Sequence, residues 1–388
     1  MAKPDIEKLN LETRLAHAGR DKTRSEGAIN PPVHRATTLL LDDVDDLYDK
    51  PVKTYGIDGM VVHDALRETL VAVEGGADGV LAPTGLAACA LALLATAESG
   101  SDVLMTESVY KPTRNLQHFL RRFGVEVRFY DPRVGAGVAD LIQDNTCALY
   151  MESPGSLTFE VQDVPAMAVA ARARNVATII DNTWSAGVYF KPFEHGVDLS
   201  VQALSKYQSG HADVFMGAVL ARTPDWAERV GRVYKDLGFF VSPDDAFLLL
   251  RGMRSLAVRL GRQSQSALTI ARWLEQQPQV ARVLFPALES AADHALWKRD
   301  FSGASGLFGV VLKPTDDAKL KAMLEGLSLF GMGFSWGGFE SLITPSDRQI
   351  ARTNHPWRAE GPLLRLSIGL EHPDDLIADL REGLAKLS

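Results

Sequence analysis

Between about residue 60 and residue 250, short apolar runs alternate with longer amphipathic or alanine-rich stretches, and this alternation limits the fold of the 388-residue chain more than any other property. The apolar runs, read as strands, fall at 103–106, 125–130, 147–151, 177–181, 199–203 and 214–221. The stretches between them, such as 85–97, 114–123 and 164–174, read as helices. Strands that alternate with helices build a mostly parallel sheet covered on both faces, an α/β architecture. Ligands of such sheets sit at the carboxyl ends of the strands, so the residues placed there are the first candidates for chemistry.

The flanking regions read differently. Residues 1–60 are polar, with Asn30-Pro31-Pro32, the acidic run 42–46 and one apolar island at 37–41, and are expected to form an N-terminal arm that wraps a partner subunit. Residues 61–250 form the expected cofactor-binding domain. Beyond them a helical stretch at 248–276, strands at 307–312 and 364–368 and a helix from Pro373 suggest a smaller α+β domain over 251–388. With 41 basic and 49 acidic residues the net charge is −8, which argues against nucleic acid or an anionic membrane as a main partner. No apolar run reaches 18 residues and Met1–Asp5 opens no signal-like segment, so a cytoplasmic protein is expected. Cys89 and Cys147 lie in apolar segments and read as small buried hydrophobes. The nine histidines show no metal-ligand spacing, so no metal site is expected.

Candidate chemistry starts at the strand Ile179-Ile180-Asp181, where the acid occupies the ligand end, and at Lys206 in Ala203-Leu204-Ser205-Lys206-Tyr207, 25 residues later. An acid and a lysine so placed are what pyridoxal 5'-phosphate (PLP) requires. The lysine forms a Schiff base with the aldehyde, the aspartate keeps the pyridine nitrogen protonated, and the Ser205 hydroxyl is able to bond the phosphate. A Ser-Lys pair alone is weak evidence, because most lysines are solvated surface charges. Gly85 opens a helical stretch whose first amides, those of Gly85 and Leu86, would cradle a phosphate, although an ordinary glycine N-cap gives the same pattern. Tyr110 follows a strand directly and could lie on a cofactor ring or be a half-buried tyrosine with its hydroxyl in water. Arg365 stands in the otherwise apolar run Leu363-Leu364-Arg365-Leu366-Ser367, where it needs either a ligand carboxylate or a structural salt bridge. Ser335-Trp336-Gly337-Gly338 reads as a turn with a half-buried tryptophan.

Several blocks in order carry a resemblance: Glu152-Ser153-Pro154-Gly155-Ser156, Asp181-Asn182-Thr183-Trp184, Ser205-Lys206-Tyr207 with Gly210-His211-Ala212-Asp213, Phe334-Ser335-Trp336-Gly337-Gly338-Phe339-Glu340-Ser341, and Arg365-Leu366-Ser367-Ile368-Gly369-Leu370-Glu371. With them the chain resembles, over essentially its full length, the trans-sulfuration (Cys/Met metabolism) family of PLP enzymes. The resemblance implies the aspartate-aminotransferase-like fold type I. It implies Lys206 as the Schiff-base lysine, Asp181 as partner of the pyridine nitrogen, and Gly85, Leu86 and Ser205 as phosphate ligands. It implies Tyr110 stacked on the ring, and Arg365, Ser335 and Trp336 around the substrate α-carboxylate. Tyr55 would reach into the active site of a neighbouring subunit, which makes a dimer the catalytic unit and a tetramer the expected assembly. The implied substrate is a small amino-acid thioether. Gly155-Ser156 and Trp336 favour α,β-elimination from L-cystathionine, giving homocysteine, pyruvate and ammonia, with Lys206, Tyr110 and Tyr55 as catalytic groups. A γ-acting member is the alternative, and a non-catalytic regulator on the same fold a more distant one.

Ile57 departs from the pattern. Many relatives carry at this place an arginine that reaches across the dimer to the phosphate, whereas here Ile57 is followed by Asp58. PLP is therefore expected to dissociate more readily than from relatives with the arginine; a dissociation constant as tight as theirs, measured by cofactor titration, would contradict this.

Overall fold

The computed structural model describes residues 6–48 and 52–387. Seven strands form one sheet: β1 Asp78–Ala82, β2 Asp102–Thr106, β3 Glu126–Tyr130, β4 Thr146–Glu152, β5 Ala177–Asp181, β6 Leu199–Gln202 and β7 Gly217–Ala221. Their order is β1-β7-β6-β5-β4-β2-β3. Strands β6, β5, β4, β2 and β3 run parallel, and β7 runs antiparallel to both β6 and β1. The expected α/β, mostly parallel sheet is therefore present, with one reversed strand. Its reversal has a local cause. No helix lies between β6 and β7, and a link without a crossover returns the chain antiparallel. That link, residues 203–216, carries Lys206. Every residue of β2, β6 and β7 is buried, as expected for strands covered on both faces.

Several elements differ from the sequence reading, among them β1, β8 and the 248–276 helix. Strand β1 lies in Asp78-Gly79-Val80-Leu81-Ala82, where an Asp-Gly start has the composition of a turn. Strand β8, Val280–Leu284, exposes Ala281 and Arg282 and so lacks an apolar run. The helical stretch at 248–276 is two helices, Pro243–Arg254 and Leu256–Leu274, broken at Ser255, whose backbone (φ −108°, ψ 5°) leaves helical geometry.

A second sheet joins β8 to β9 Leu307–Leu312, β10 Leu342–Pro345 and β11 Leu363–Ser367 in the order β10-β11-β9-β8, antiparallel throughout. One continuous apolar cluster runs from Leu149, Met151 and Ile180 of the first sheet to Phe308, Val310, Leu364 and Leu366 of the second. The two sheets are therefore locked together by burial. Near the N-terminus, the helix Leu11–His17 buries Leu15 against Val62 and Leu66 of the helix Val61–Glu74.

Polar clasps reinforce this packing where it borders the site. Glu107, just past β2, accepts hydrogen bonds from Arg114, from the Thr353 amide and hydroxyl, and from the Asn354 amide. Arg352 donates to Thr158 and Glu160, both at 2.7 Å, on the loop beyond β4. Both ion pairs are almost fully buried, so each carboxylate depends on the donors around it. The clasps hold two loops of the parallel sheet against the segment that leads into β11. Among the described residues no helix is long and apolar enough to cross a membrane.

Candidate active site

Asp181 ends β5, and its carboxylate accepts the Thr183 amide at 3.0 Å and the Thr183 hydroxyl at 2.5 Å. The same hydroxyl oxygen accepts the amide of Ala203 at 2.9 Å, which ties the end of β5 to the start of the Lys206 link. The Cys89 thiol points at the other carboxylate oxygen, 3.9 Å away. Burial raises the Asp181 carboxyl above its ordinary range, while the Thr183 bonds and the nearby Lys206 pull it back. Among the described residues no cation is bonded to it.

Lys206 donates to the Ser335 hydroxyl at 2.7 Å, and its Nζ lies 5.3 Å from the centre of the Trp336 ring. Burial, and then the charge of Arg365, bring its amine down to about 8. Arg365 projects from β11, is only 8% exposed, and donates to the Ser335 carbonyl at 3.0 Å. Ser335 therefore holds one cation on its hydroxyl and the other on its carbonyl. It does so in the left-handed backbone region (φ +78°), which a side-chain-bearing residue rarely adopts. Gly337 beside it (φ +84°) allows the close approach, because a Cβ there would stand 3.0 Å from the Tyr207 amide nitrogen. Of the two readings of Arg365, the salt bridge finds no partner: among the described residues no carboxylate pairs with Arg365 or Lys206.

The helix Gly85–Thr96 starts beside this link. A Cβ on Gly85 would lie 2.5 Å from the Ala203 Cβ, so only glycine brings the helix start this close. The Thr84 side chain takes the amide of Ala87, while those of Gly85 and Leu86 belong to the first turn and have no acceptor within the helix. The Ser205 hydroxyl accepts the Met216 amide at 2.9 Å and donates to the Met216 carbonyl at 3.2 Å, which leaves it acceptor capacity only in this rotamer. Tyr110, 47% exposed, caps the helix Lys111–Arg121, and its amide donates to Glu152 at 2.7 Å. Burial raises its hydroxyl, Glu152 and Cys89 add to that, and Arg365 opposes it. Tyr55 is half exposed and bridges by its backbone to Thr38; none of the cleft hydrogen bonds comes from its hydroxyl.

Sequence reasoning gave no role to several of these groups. Glu152 belonged only to a resemblance block, yet it ends β4 directly beside Asp181. Cys89 read as a hydrophobe, but its thiol faces the acid. Beneath the sheet, buried Glu74 accepts from Asn182, Ser200 and Gln202, and Gln202 in turn accepts from Gln208. These bonds join the residue after Asp181 to the segment just past Lys206. Asn182, next to a candidate acid, is the one part of the network visible as a signal in sequence.

The parts fit PLP: a cradle that a Cβ would fill, a recessed carboxylate with no bonded cation, and an amine whose proton is easily lost. Such a fold and site define a PLP enzyme built on an active-site lysine. The chain belongs to the Cys/Met metabolism PLP-dependent enzyme family, whose model matches residues 12–385. It is 42% identical to cystathionine beta-lyase of Salmonella typhimurium, covering 97% of this chain and 98% of that protein. It is 38% identical to cystathionine beta-lyase of Haemophilus influenzae, covering 98% and 99%. Among solved structures, cystathionine gamma-lyase of Lactobacillus plantarum superposes with a TM-score of 0.91 at 29% identity, covering 98% of this chain and 99% of that one.

The unprotonated amine is the nucleophile, so the Lys206 environment makes a pH prediction. Capture of PLP by the cofactor-free protein should accelerate up to about pH 8 and level off above it. Stopped-flow absorbance checks this; a rate that keeps rising toward the ordinary lysine range would contradict it.

Proposed function

We propose that this protein is a cystathionine β-lyase that cleaves the Cβ–S bond of L-cystathionine to give homocysteine, pyruvate and ammonia. The observation that carries the reading is the pair of cations, half-buried Lys206 and buried Arg365, held on Ser335 with no carboxylate among the described residues paired to either. An amino-acid substrate supplies that carboxylate, and its amine arrives beside Lys206. The sequence relatives support β- over γ-chemistry. The γ-lyase neighbour shares the fold, and the lysine, aspartate and arginine do not separate the two classes.

Gly85 and Leu86 would hold the phosphate of PLP, joined by Ser205 once its hydroxyl turns from the Met216 carbonyl, while Asp181 would hold its pyridine nitrogen, Lys206 its aldehyde and Tyr110 its ring face. When bound, PLP supplies an electron sink for the Cα carbanion. The chain's own residues do the rest. Arg365 fixes the α-carboxylate through charge-assisted bonds, with Ser335 and Trp336 shaping that end of the pocket. This orients the Cα–H bond toward Lys206, whose unprotonated amine takes the proton as general base. The departing thiolate then receives a proton from Lys206 or Tyr110. Thr183 keeps Asp181 ionised by bonding its charged form.

Tyr55 would complete the site of a neighbouring subunit, which would make the protein a homo-oligomer built from catalytic dimers. The exposed apolar side chains of Leu40, Val44, Tyr48 and Phe215 support self-association.

With L-cystathionine, the PLP-loaded protein should release pyruvate and homocysteine; 2-oxobutyrate and cysteine would move it to the γ-acting class. Replacing Arg365 with leucine should raise KM by about 30-fold or more, corresponding to ~2 kcal/mol for a buried charge pair. An unchanged KM would remove Arg365 from the substrate site.

A further inference from the structure

Glu152 and Asp181 are direct partners across the parallel β4–β5 pair. Aligned residues of neighbouring strands project to the same face, with strands ~4.8 Å apart. Two carboxyl groups on adjacent strand ends in a desolvated cleft oppose each other's ionisation, which favours a single proton on the pair. The surrounding donors decide which member holds it. Asp181 accepts two bonds from Thr183 and feels Lys206, all of which favour its charged form. Among the described residues the Glu152 carboxyl accepts one hydrogen bond, from the Tyr110 amide, at 2.7 Å through Oε2. No lysine, arginine or histidine among the described residues pairs with it. The other titratable groups around the pair are neutral: the Tyr110 hydroxyl, the Cys89 thiol and the buried Tyr150 hydroxyl. Burial and the charge of Asp181 both raise the Glu152 carboxyl.

We propose that Glu152 is a positioning residue that carries the proton of the Glu152–Asp181 pair and anchors the Tyr110 backbone, so that Asp181 alone presents a negative charge to the cofactor. A neutral Glu152 also leaves the Tyr110 hydroxyl facing Arg365 without an opposing carboxylate beside it, which eases transfer of its proton. Glu152 thus links the acid at the pyridine end of the cleft to the tyrosine on the substrate side. The inference rests on the PLP reading of the site but is independent of which thioether is cleaved.

The test is infrared spectroscopy of the PLP-loaded protein without substrate at neutral pH, taken as wild type minus E152Q. The buried carboxyl of Glu74 is common to both and cancels. A carboxylic-acid C=O band that moves when glutamate side chains are labelled with 13C is the expected result. A band that the label does not move would place the proton on Asp181 and overturn the proposal, as would the absence of any such band. PLP affinity gives a second readout. The glutamine of E152Q still offers a neutral acceptor to the Tyr110 amide, so its PLP dissociation constant should stay within about threefold of wild type. E152A removes the acceptor and should weaken binding about tenfold or more. An E152Q protein as weak as E152A would show that a negative charge is needed there, which contradicts the proposal. Should E152A fail to fold, the infrared comparison decides alone. Because no substrate is added, an error in the β-lyase assignment leaves both readouts unaffected.

Discussion

Two cations share one residue at the centre of this structure. Lys206, on the link after β6, and Arg365, on β11 of the second sheet, meet on the hydroxyl and the carbonyl of Ser335, with no carboxylate among the described residues paired to either. Burying unpaired charge is costly, and the cost is visible in both groups: burial lowers the lysine to about 8 and the arginine below its ordinary value. The cost is tolerated because packing over-determines the geometry. The left-handed backbone of Ser335, the close approach at Gly337 and the all-buried strand β11 bring the two side chains to the same residue. A site charged in this way is completed by an anion that also carries an amine, which is the description of an amino acid.

The sheet topology places the remaining parts. Because no helix joins β6 to β7, the link that bears Lys206 stays at the carboxyl end of the sheet, next to the end of β5, where Asp181 stands. The Thr183 hydroxyl bridges the two by donating to Asp181 and accepting the Ala203 amide. On the underside, Glu74 gathers Asn182, Ser200 and Gln202, so the same strand ends are fixed from below. The second sheet brings Arg365 over this platform, and the Glu107 and Arg352 clasps keep the loops after β2 and β4 in register with it. Fold and site are thus one arrangement: the core that joins the two sheets also sets where Arg365 stands relative to Asp181 and Lys206.

Much of this was legible beforehand. Asp181 and Lys206 stood out because each sits at the end of an apolar run, and the fully buried strands β2, β6 and β7 are the kind that a short apolar stretch announces. Strands β1 and β8 were hidden, one by its Asp-Gly start and the other by its exposed residues. The break at Ser255 was hidden because helical composition continues on both sides of it. The reversed direction of β7 depends on what the link does in three dimensions, which periodicity does not encode. For Arg365, pattern alone allowed a salt bridge, and only the fold shows that no acid among the described residues reaches it. The pairing of Glu152 with Asp181 is a matter of strand register, so no spacing in the sequence expresses it. The Ser205 hydroxyl is engaged with the Met216 backbone, a contact between residues 11 apart that motif reasoning does not see.

Burial also lowers a second lysine to about 8: Lys191, whose ammonium bonds the Val73 and Gly187 carbonyls beneath the sheet. A depressed pKa therefore does not by itself single out the cofactor lysine; the convergence of Lys206 with Asp181, Gly85 and Arg365 does. The most direct measurement is borohydride reduction of the PLP-loaded protein, followed by proteolysis and mass spectrometry of the labelled peptide. The account predicts the reduced pyridoxyl group on Lys206 alone. A label on Lys191, or spread over surface lysines, would contradict it.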